Sequence, residues 1–283
     1  MTARQLRREA AERLRAAGVA SPERDADELL AHVLGLGLGR LALVDGVTEE
    51  QGAAYDALLD RRAAREPLQH LLGTAVFRHV ELAVGPGVFV PRPETELLAG
   101  WAVDRAREAG RHHRTCRVVD LCTGSGAIAR AVKDEVPSAD VHAVELDPGA
   151  HRWAERNLAG TGVELRLGDM ATAFADLAGT VDVLTCNPPY VPLEAWESVA
   201  PEARDHDPHL ALFSGDDGLD ALRVLAERAA VLLRPGGWVG VEHADVQGQS
   251  APRLFAATGR YEQVRDHRDL AGRPRYLTAR LAR

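Results

Sequence analysis

The chain has 283 residues, 46% of them hydrophobic, and a formal net charge of −8. It is long enough to bury one large core and one small one, and its acidic balance argues against a free-standing duplex binder, which would carry a net basic face. No apolar run approaches a membrane span and the amphipathic start lacks a signal-peptide core, so the expected location is the cytoplasm.

The first 74 residues read as helices. One pattern runs from Ala3 to Ala17. A second opens at Ser21-Pro22-Glu23, with N-cap, first-turn proline and first-turn acid, and runs to Leu34 before Gly35, Gly37 and Gly39 end it. Thr48-Glu49-Glu50-Gln51 is a capping-box pattern that starts a third helix reaching about Arg65. Apolar stripes such as Leu29, Leu30, Val33 and Leu34 make a small bundle, which either binds something or braces a larger domain. Arg61, Arg62 and Arg65 form a basic helix end that the helix dipole favours without a ligand. Residues 75–90 then alternate around Gly85-Pro86-Gly87 and predict a linking β-hairpin, in which Phe89 is either a core residue or a functional aromatic.

From 91 to 283 helices and strands alternate, the rhythm of a doubly wound α/β sheet. His112-His113 precede its first strand in an exposed linker. The strand Arg117–Leu121 enters the turn Cys122-Thr123-Gly124-Ser125-Gly126 and then a helix, so Gly124 and Gly126 let backbone approach a ligand while the helix aims its free N–H groups there. Asp120, taken as part of this turn, would repel a pyrophosphate; the ligand is expected to carry an amino or sulfonium cation instead. A second strand, Val141–Glu145, ends in a carboxylate placed to take both ribose hydroxyls. A third, Val163–Leu167, leads to Asp169, an acceptor for an adenine amino group, and Met170, which would lie on the ring. Alone, each acid would read as a solvated strand end. Together they sit at the carboxyl ends of consecutive strands, where open α/β sheets bind ligands.

The fourth strand, Val181–Cys186, ends in Asn187-Pro188-Pro189-Tyr190. In isolation this is a stiff strand-to-loop turn. In this setting the Asn187 oxygen and the Pro188 carbonyl form a pair of acceptors for the two hydrogens of an amino group, stiffened by Pro189, with Tyr190 as a flat wall. Pro235-Gly236-Gly237 marks entry to a fifth strand, and Tyr261–Val264 with Arg275–Ala282 predict an antiparallel closing pair. Cys116, Cys122 and Cys186 lack metal or disulfide spacing, and Cys122 and Cys186 are expected on the floor of the ligand pocket. His206 and His209 around Asp205 and Asp207 suggest no metal site, because no matching ligands occur elsewhere with recognised spacing.

These features in this order resemble a class I S-adenosylmethionine-dependent methyltransferase acting on an amino nitrogen. The segment Pro91-Arg92-Pro93-Glu94-Thr95-Glu96 is similar to the P-R-P-D/E-T-E signature of the HemK/PrmC family of protein-(glutamine-N5) methyltransferases. So are Asp205-His206-Asp207-Pro208, Gly215-Asp216-Asp217-Gly218-Leu219, and Glu242-His243 with Gln247-Gly248. The resemblance implies a Rossmann-like, seven-stranded methyltransferase domain behind an amino-terminal helical substrate-recognition domain. It implies S-adenosyl-L-methionine as cofactor, with S-adenosyl-L-homocysteine as product, held by Phe89, Cys122, Thr123, Gly124, Ser125, Gly126, Glu145, Asp169, Met170 and Asn187. Asn187, Pro188, Pro189 and Tyr190 would be catalytic. The implied partners are class 1 peptide-chain release factors, methylated on the glutamine of their Gly-Gly-Gln motif by a monomeric enzyme with no direct nucleic-acid contact. Cys122 departs from the family's usual glycine, Met170 from a usual aromatic residue, and Asp207 from a frequent glutamate. Asn-Pro-Pro-Tyr is shared with adenine-N6 DNA methyltransferases, so base methylation is the competing reading.

Overall fold

A computed structural model describes residues 2–112 and 115–283; of the expected linker His113 and Arg114 lie outside them, while His112 ends a helix. The chain forms two compact units, one of 1–74, 84–86 and 200–206, the other of 75–83, 87–199 and 207–283.

The smaller unit is helical: α1 (Ala3–Ala16), α2 (Pro22–Leu34), α3 (Glu49–Ala63) and a short α4 (Leu68–Leu72). Both Thr2 and Thr48 close full capping boxes, with Gln5 and Gln51 as the reciprocal partners. Leu14, Leu29, Leu30, Tyr55 and Leu59 fill the core, and the Tyr55 hydroxyl donates to the Ala26 carbonyl at 2.9 Å. Each fully buried leucine contributes roughly 1.5–3 kcal/mol. The third helix stops short of Arg65, which takes a left-handed φ of 69°.

The basic helix end is committed to carboxylates rather than to the helix dipole alone. Arg62 is buried against Asp25 at 2.7 Å and Glu202 at 3.0 Å, Arg65 grips Glu202 at 2.7 Å, and Arg61 pairs with Glu66 at 2.6 Å. Burial alone would raise the Glu202 carboxyl, but hydrogen bonds from Arg65, its own backbone and Arg62 outweigh that and hold it at about 2. A folded-state value below the ordinary 4.5 means that Glu202 stabilises fully above about pH 4.5 and loses this contribution as pH falls toward 2. The melting-temperature gap between wild type and Glu202→Gln is therefore expected to be constant above pH 5 and to close on acidification. A gap independent of pH would reject this origin.

In the larger unit β1 (Thr74–Phe77) and β2 (Val80–Ala83) make a two-stranded sheet, followed by α5 (Thr95–His112). The hairpin is shorter than the alternation of 75–90 suggests. Val84, Val88 and Val90 are buried but lie outside any strand, because Pro86 and Pro91 offer no N–H for a ladder and Gly87 turns left-handed. Then come β3 (Arg117–Leu121), α6 (Ala127–Glu135), β4 (Asp140–Glu145), α7 (Pro148–Leu158), β5 (Glu164–Leu167) and β6 (Val181–Cys186). The short α8 (Pro201–His206), which belongs to the helical unit, and α9 (His209–Leu212) precede α10 (Asp220–Leu232), β7 (Leu233–Glu242), α11 (Ser250–Ala257), β8 (Tyr261–Arg268) and β9 (Pro274–Leu281).

The seven strands run in the order β5-β4-β3-β6-β7-β9-β8, parallel from β5 to β7, with β9 antiparallel to both β7 and β8. Apart from the edge strand β5, whose end residues are exposed, the parallel strands are buried and largely apolar, and Val119, Leu121, Leu184, Val239 and Val241 form the core. Among the described residues no helix is long and apolar enough to cross a membrane.

Candidate functional site

The chain runs outward from β3 through β4 to β5, then crosses to β6 on the other side of β3. The β3/β6 boundary is thus a topological switch point, and the carboxyl ends of the strands there are where open α/β sheets bind ligands. Leu121 pairs with Cys186, so Cys122 and Asn187 leave the sheet side by side; Glu145 pairs with Leu167 next door.

The turn after β3 is built for close approach. Cys122 has a φ of 57°, a left-handed conformation that suits glycine. Gly124 also has a positive φ, and open space lies where its side chain would be. Its N–H donates to Glu145 Oε2 at 2.8 Å, and the Asp147 N–H donates to Oε1 at 2.9 Å. Glu145 therefore shapes the loop, and its carboxylate, with about four acceptor sites, is not filled by these backbone N–H groups. Burial raises its carboxyl above the ordinary glutamate value against these backbone hydrogen bonds.

The side chains of Thr123 and Ser125 turn inward and are buried. The Thr123 hydroxyl donates to Asp120 at 2.6 Å, and Thr185 donates to the other Asp120 oxygen at 2.8 Å. Asp120 thus lies inside β3 rather than in the turn, sealed from any ligand; burial pushes its carboxyl up to about 6 despite the threonine hydroxyls. Asp169 is exposed and accepts the Ala171 N–H at 2.8 Å, while the Met170 sulfur lies 3.5 Å from Cys122 Sγ. Of the two expected floor cysteines, only Cys122 is partly open. Cys186 is fully buried, and burial next to Cys122 pushes its thiol well above the ordinary value.

At the end of β6 the Asn187 Nδ2 group donates to Thr95 Oγ1 at 3.4 Å. Among the described residues no donor reaches the Asn187 side-chain oxygen or the Pro188 carbonyl. Tyr190 is clamped: its hydroxyl donates to Glu242 Oε1 at 3.0 Å, its N–H to the Leu212 carbonyl at 3.1 Å, and its carbonyl accepts Gln247 Nε2 at 3.0 Å. Gly218 is required beside it, since a Cβ there would collide with the Tyr190 carbonyl.

Phe89 is half-buried, with the Arg92 guanidinium 4.9 Å from its ring centre; Arg92 in turn pairs with buried Asp207 at 2.6 Å. Burial pushes the Asp207 carboxyl up to about 6, with Arg92 pulling against it. His209 packs on Trp196 and Phe213, and no metal-holding cluster occurs among the described residues.

Sequence reasoning assigned no role to Thr95 or Glu242. Glu242 was detectable by the logic that found Glu145, as an acid ending a parallel strand. Thr95 lies in the Pro91–Glu96 segment that carries the family resemblance, yet nothing there points to its role, because its partner Asn187 is 92 residues away.

Comparison with known proteins adds sequence-wide matches. A family model described as the PrmC N-terminal domain matches residues 5–73, and one described as a methyltransferase domain matches residues 118–206. A release factor glutamine methyltransferase of Streptomyces coelicolor is 55% identical over 97% of this chain and 96% of its own length. One of Mycolicibacterium smegmatis is 46% identical over 95% of each chain. Among solved structures the hMettl16 catalytic domain, in complex with an RNA hairpin, superposes with a TM-score of 0.55 at 15% identity, over 71% of this chain and 75% of that one, a likeness of fold alone.

Proposed function

The chain belongs to the release factor glutamine methyltransferase family, and from that premise we infer that it transfers a methyl group from S-adenosyl-L-methionine to the side-chain nitrogen of the glutamine in the Gly-Gly-Gln motif of class 1 release factors. The observation that carries this reading is the pair of acceptors, the Asn187 side-chain oxygen and the Pro188 carbonyl, unengaged among the described residues at the carboxyl end of β6 beside the switch point.

S-adenosyl-L-methionine supplies an electrophilic methyl on a sulfonium and leaves as S-adenosyl-L-homocysteine. The residues present fit it. Glu145 keeps lone pairs for ribose hydroxyls beyond those taken by Gly124 and Asp147. The open space at Gly124 admits a ligand against backbone, and Asp169 and Met170 offer an acceptor and a soft apolar face for an adenine. Thr123, Ser125 and Gly126 act through the loop's backbone, and Phe89 walls the site from its own segment.

A carboxamide nitrogen is a weak nucleophile because its lone pair is delocalised into the carbonyl. Asn187 and Pro188 accept its two N–H groups, orient the nitrogen and favour the less planar geometry of the transition state. Pro189 stiffens the turn and the Tyr190 ring packs beside the amide. No base is needed at this step, since the nitrogen becomes strongly acidic only once methylated. The helical unit is the recognition module, and the enzyme works in the cytoplasm as a monomer.

A radiolabelled-methyl assay tests the reading, offering in parallel an unmethylated release factor, the same factor with its Gly-Gly-Gln glutamine changed to alanine, and unmethylated DNA. Label confined to the intact factor is the expected result; label in DNA would move the function to base modification. The half-buried Cys122 gives a separate readout. S-adenosyl-L-homocysteine is expected to slow its alkylation severalfold while Cys186 stays unreactive throughout, and an unchanged Cys122 rate would remove it from the pocket.

A further inference from the structure

We propose that Thr95 and Glu242 form a hydrogen-bond relay that fixes which end of the Asn187 amide faces the reacting nitrogen, making both of them positioning residues for methyl transfer. The proposal rests on the reading of Asn187 as acceptor for the substrate amino group.

An asparagine amide has two ends of nearly equal shape and opposite hydrogen-bonding character. With its oxygen toward the substrate it accepts an N–H; turned over, it presents its own N–H groups to the substrate's donors and the site repels what it should hold. Something must therefore set the orientation. Glu242 ends β7, beside β6, where Val241 pairs with Cys186, so its side chain lies next to the residue that follows Cys186. It is 1% exposed. Its Oε2 accepts from Thr95 Oγ1 at 2.7 Å and its Oε1 from the Tyr190 hydroxyl at 3.0 Å.

A carboxylate only accepts. Thr95 has one hydroxyl proton, and Glu242 takes it. Toward Asn187 the Thr95 oxygen then has only lone pairs to offer, so the amide's nitrogen end must face it, as the 3.4 Å contact has it. The reverse orientation would press two oxygens together with no proton between them. The single carboxylate therefore holds both ends of Asn187-Pro188-Pro189-Tyr190, the first through Thr95 and the last directly. It also ties the Pro91–Glu96 segment to that turn, since Thr95 is the first residue of α5.

The test is a double-mutant cycle in the full-length protein. Thr95→Val and Thr95→Ser are each made in wild type and in Asn187→Ala, with melting temperature and affinity for S-adenosyl-L-homocysteine recorded for every variant; Thr95→Ala replaces valine if the latter does not fold. Thr95→Val is expected to lower kcat about 10- to 100-fold, a large part of the loss from removing a preorganised contact, with KM for the acceptor and cofactor affinity held within about threefold. Thr95→Ser, which keeps the hydroxyl, should return kcat to within about threefold of wild type. In the Asn187→Ala background Thr95→Val should change kcat by less than about twofold, because the residue it acts through is gone. An equal loss in both backgrounds, or a serine variant as poor as the valine one, would reduce Thr95 to a packing residue and overturn the relay. The ratios are taken on whichever acceptor wild type labels, release factor or DNA, so the relay can fail while the glutamine reading stands, and the reverse.

Discussion

Replacing Asn187 by alanine is expected to lower kcat by about a hundredfold or more while leaving cofactor affinity within about threefold and the fold intact. The size follows from comparison with a lost oxyanion-type contact, which costs on the order of a hundred- to a thousandfold. The selectivity follows from the local structure. Asn187 is only half-buried, and Thr95, the one partner of its side chain among the described residues, keeps its other bond to Glu242 when the amide is removed, so no buried donor is stranded. Asn187→Asp should be no better than alanine, because a carboxylate there would meet the Thr95 oxygen and lie near the buried charge of Glu242. Stopped single-turnover measurements with saturating cofactor, beside calorimetric binding of S-adenosyl-L-homocysteine, separate the two quantities. Wild-type turnover in the alanine variant would remove Asn187 from the chemistry.

The parts of this molecule that could be read from the chain are those set by local patterns. The parallel strands announce themselves as apolar runs stopped by polar residues, and Val181–Cys186 has the bounds the sequence suggests. Helix starts at Pro22 and Glu49 follow from a first-turn proline and a capping box, although the Ser21 side chain makes no cap hydrogen bond. The less legible parts depend on distant partners. Alternation from Val84 to Val90 resembles a strand but has no neighbouring ladder to join, so its valines are buried in irregular backbone. The arginines of α3 look like a solvated helix end until Glu202, 137 residues downstream of Arg65, is brought against them. Asp120 reads as a charge in a ligand loop, yet two threonine hydroxyls, one from β6, enclose it. In the site the glycines, Glu145 and Asn187 stand out only together, because they recur at the carboxyl ends of consecutive strands. Thr95 does not, because threonine at a helix start is commonplace and its role exists only through Glu242 and Asn187.

Glu145 is where the second large effect is expected, this time on binding rather than turnover. Its carboxylate accepts backbone N–H groups from Gly124 and Asp147, which come from the loops after β3 and β4. Glu145→Gln keeps the size of the side chain but replaces one acceptor by an NH₂ group. Either Gly124 or Asp147 then faces a donor, and one ribose hydroxyl loses its acceptor. Hydrogen bonds to charged groups are worth about 1.5–3 kcal/mol each, so losing the one to the ribose weakens S-adenosyl-L-homocysteine binding by roughly ten- to 150-fold. Because Glu145 is buried and burial already opposes its charge, the neutral glutamine carries a smaller desolvation cost. The variant should therefore fold, with a melting temperature near that of the wild-type apoprotein. The decisive comparison is calorimetric affinity against melting temperature. Weak binding with an intact fold is the expected result, whereas a tightly binding variant would show that Glu145 serves only to shape the Gly124 turn and that the ribose is held by other groups.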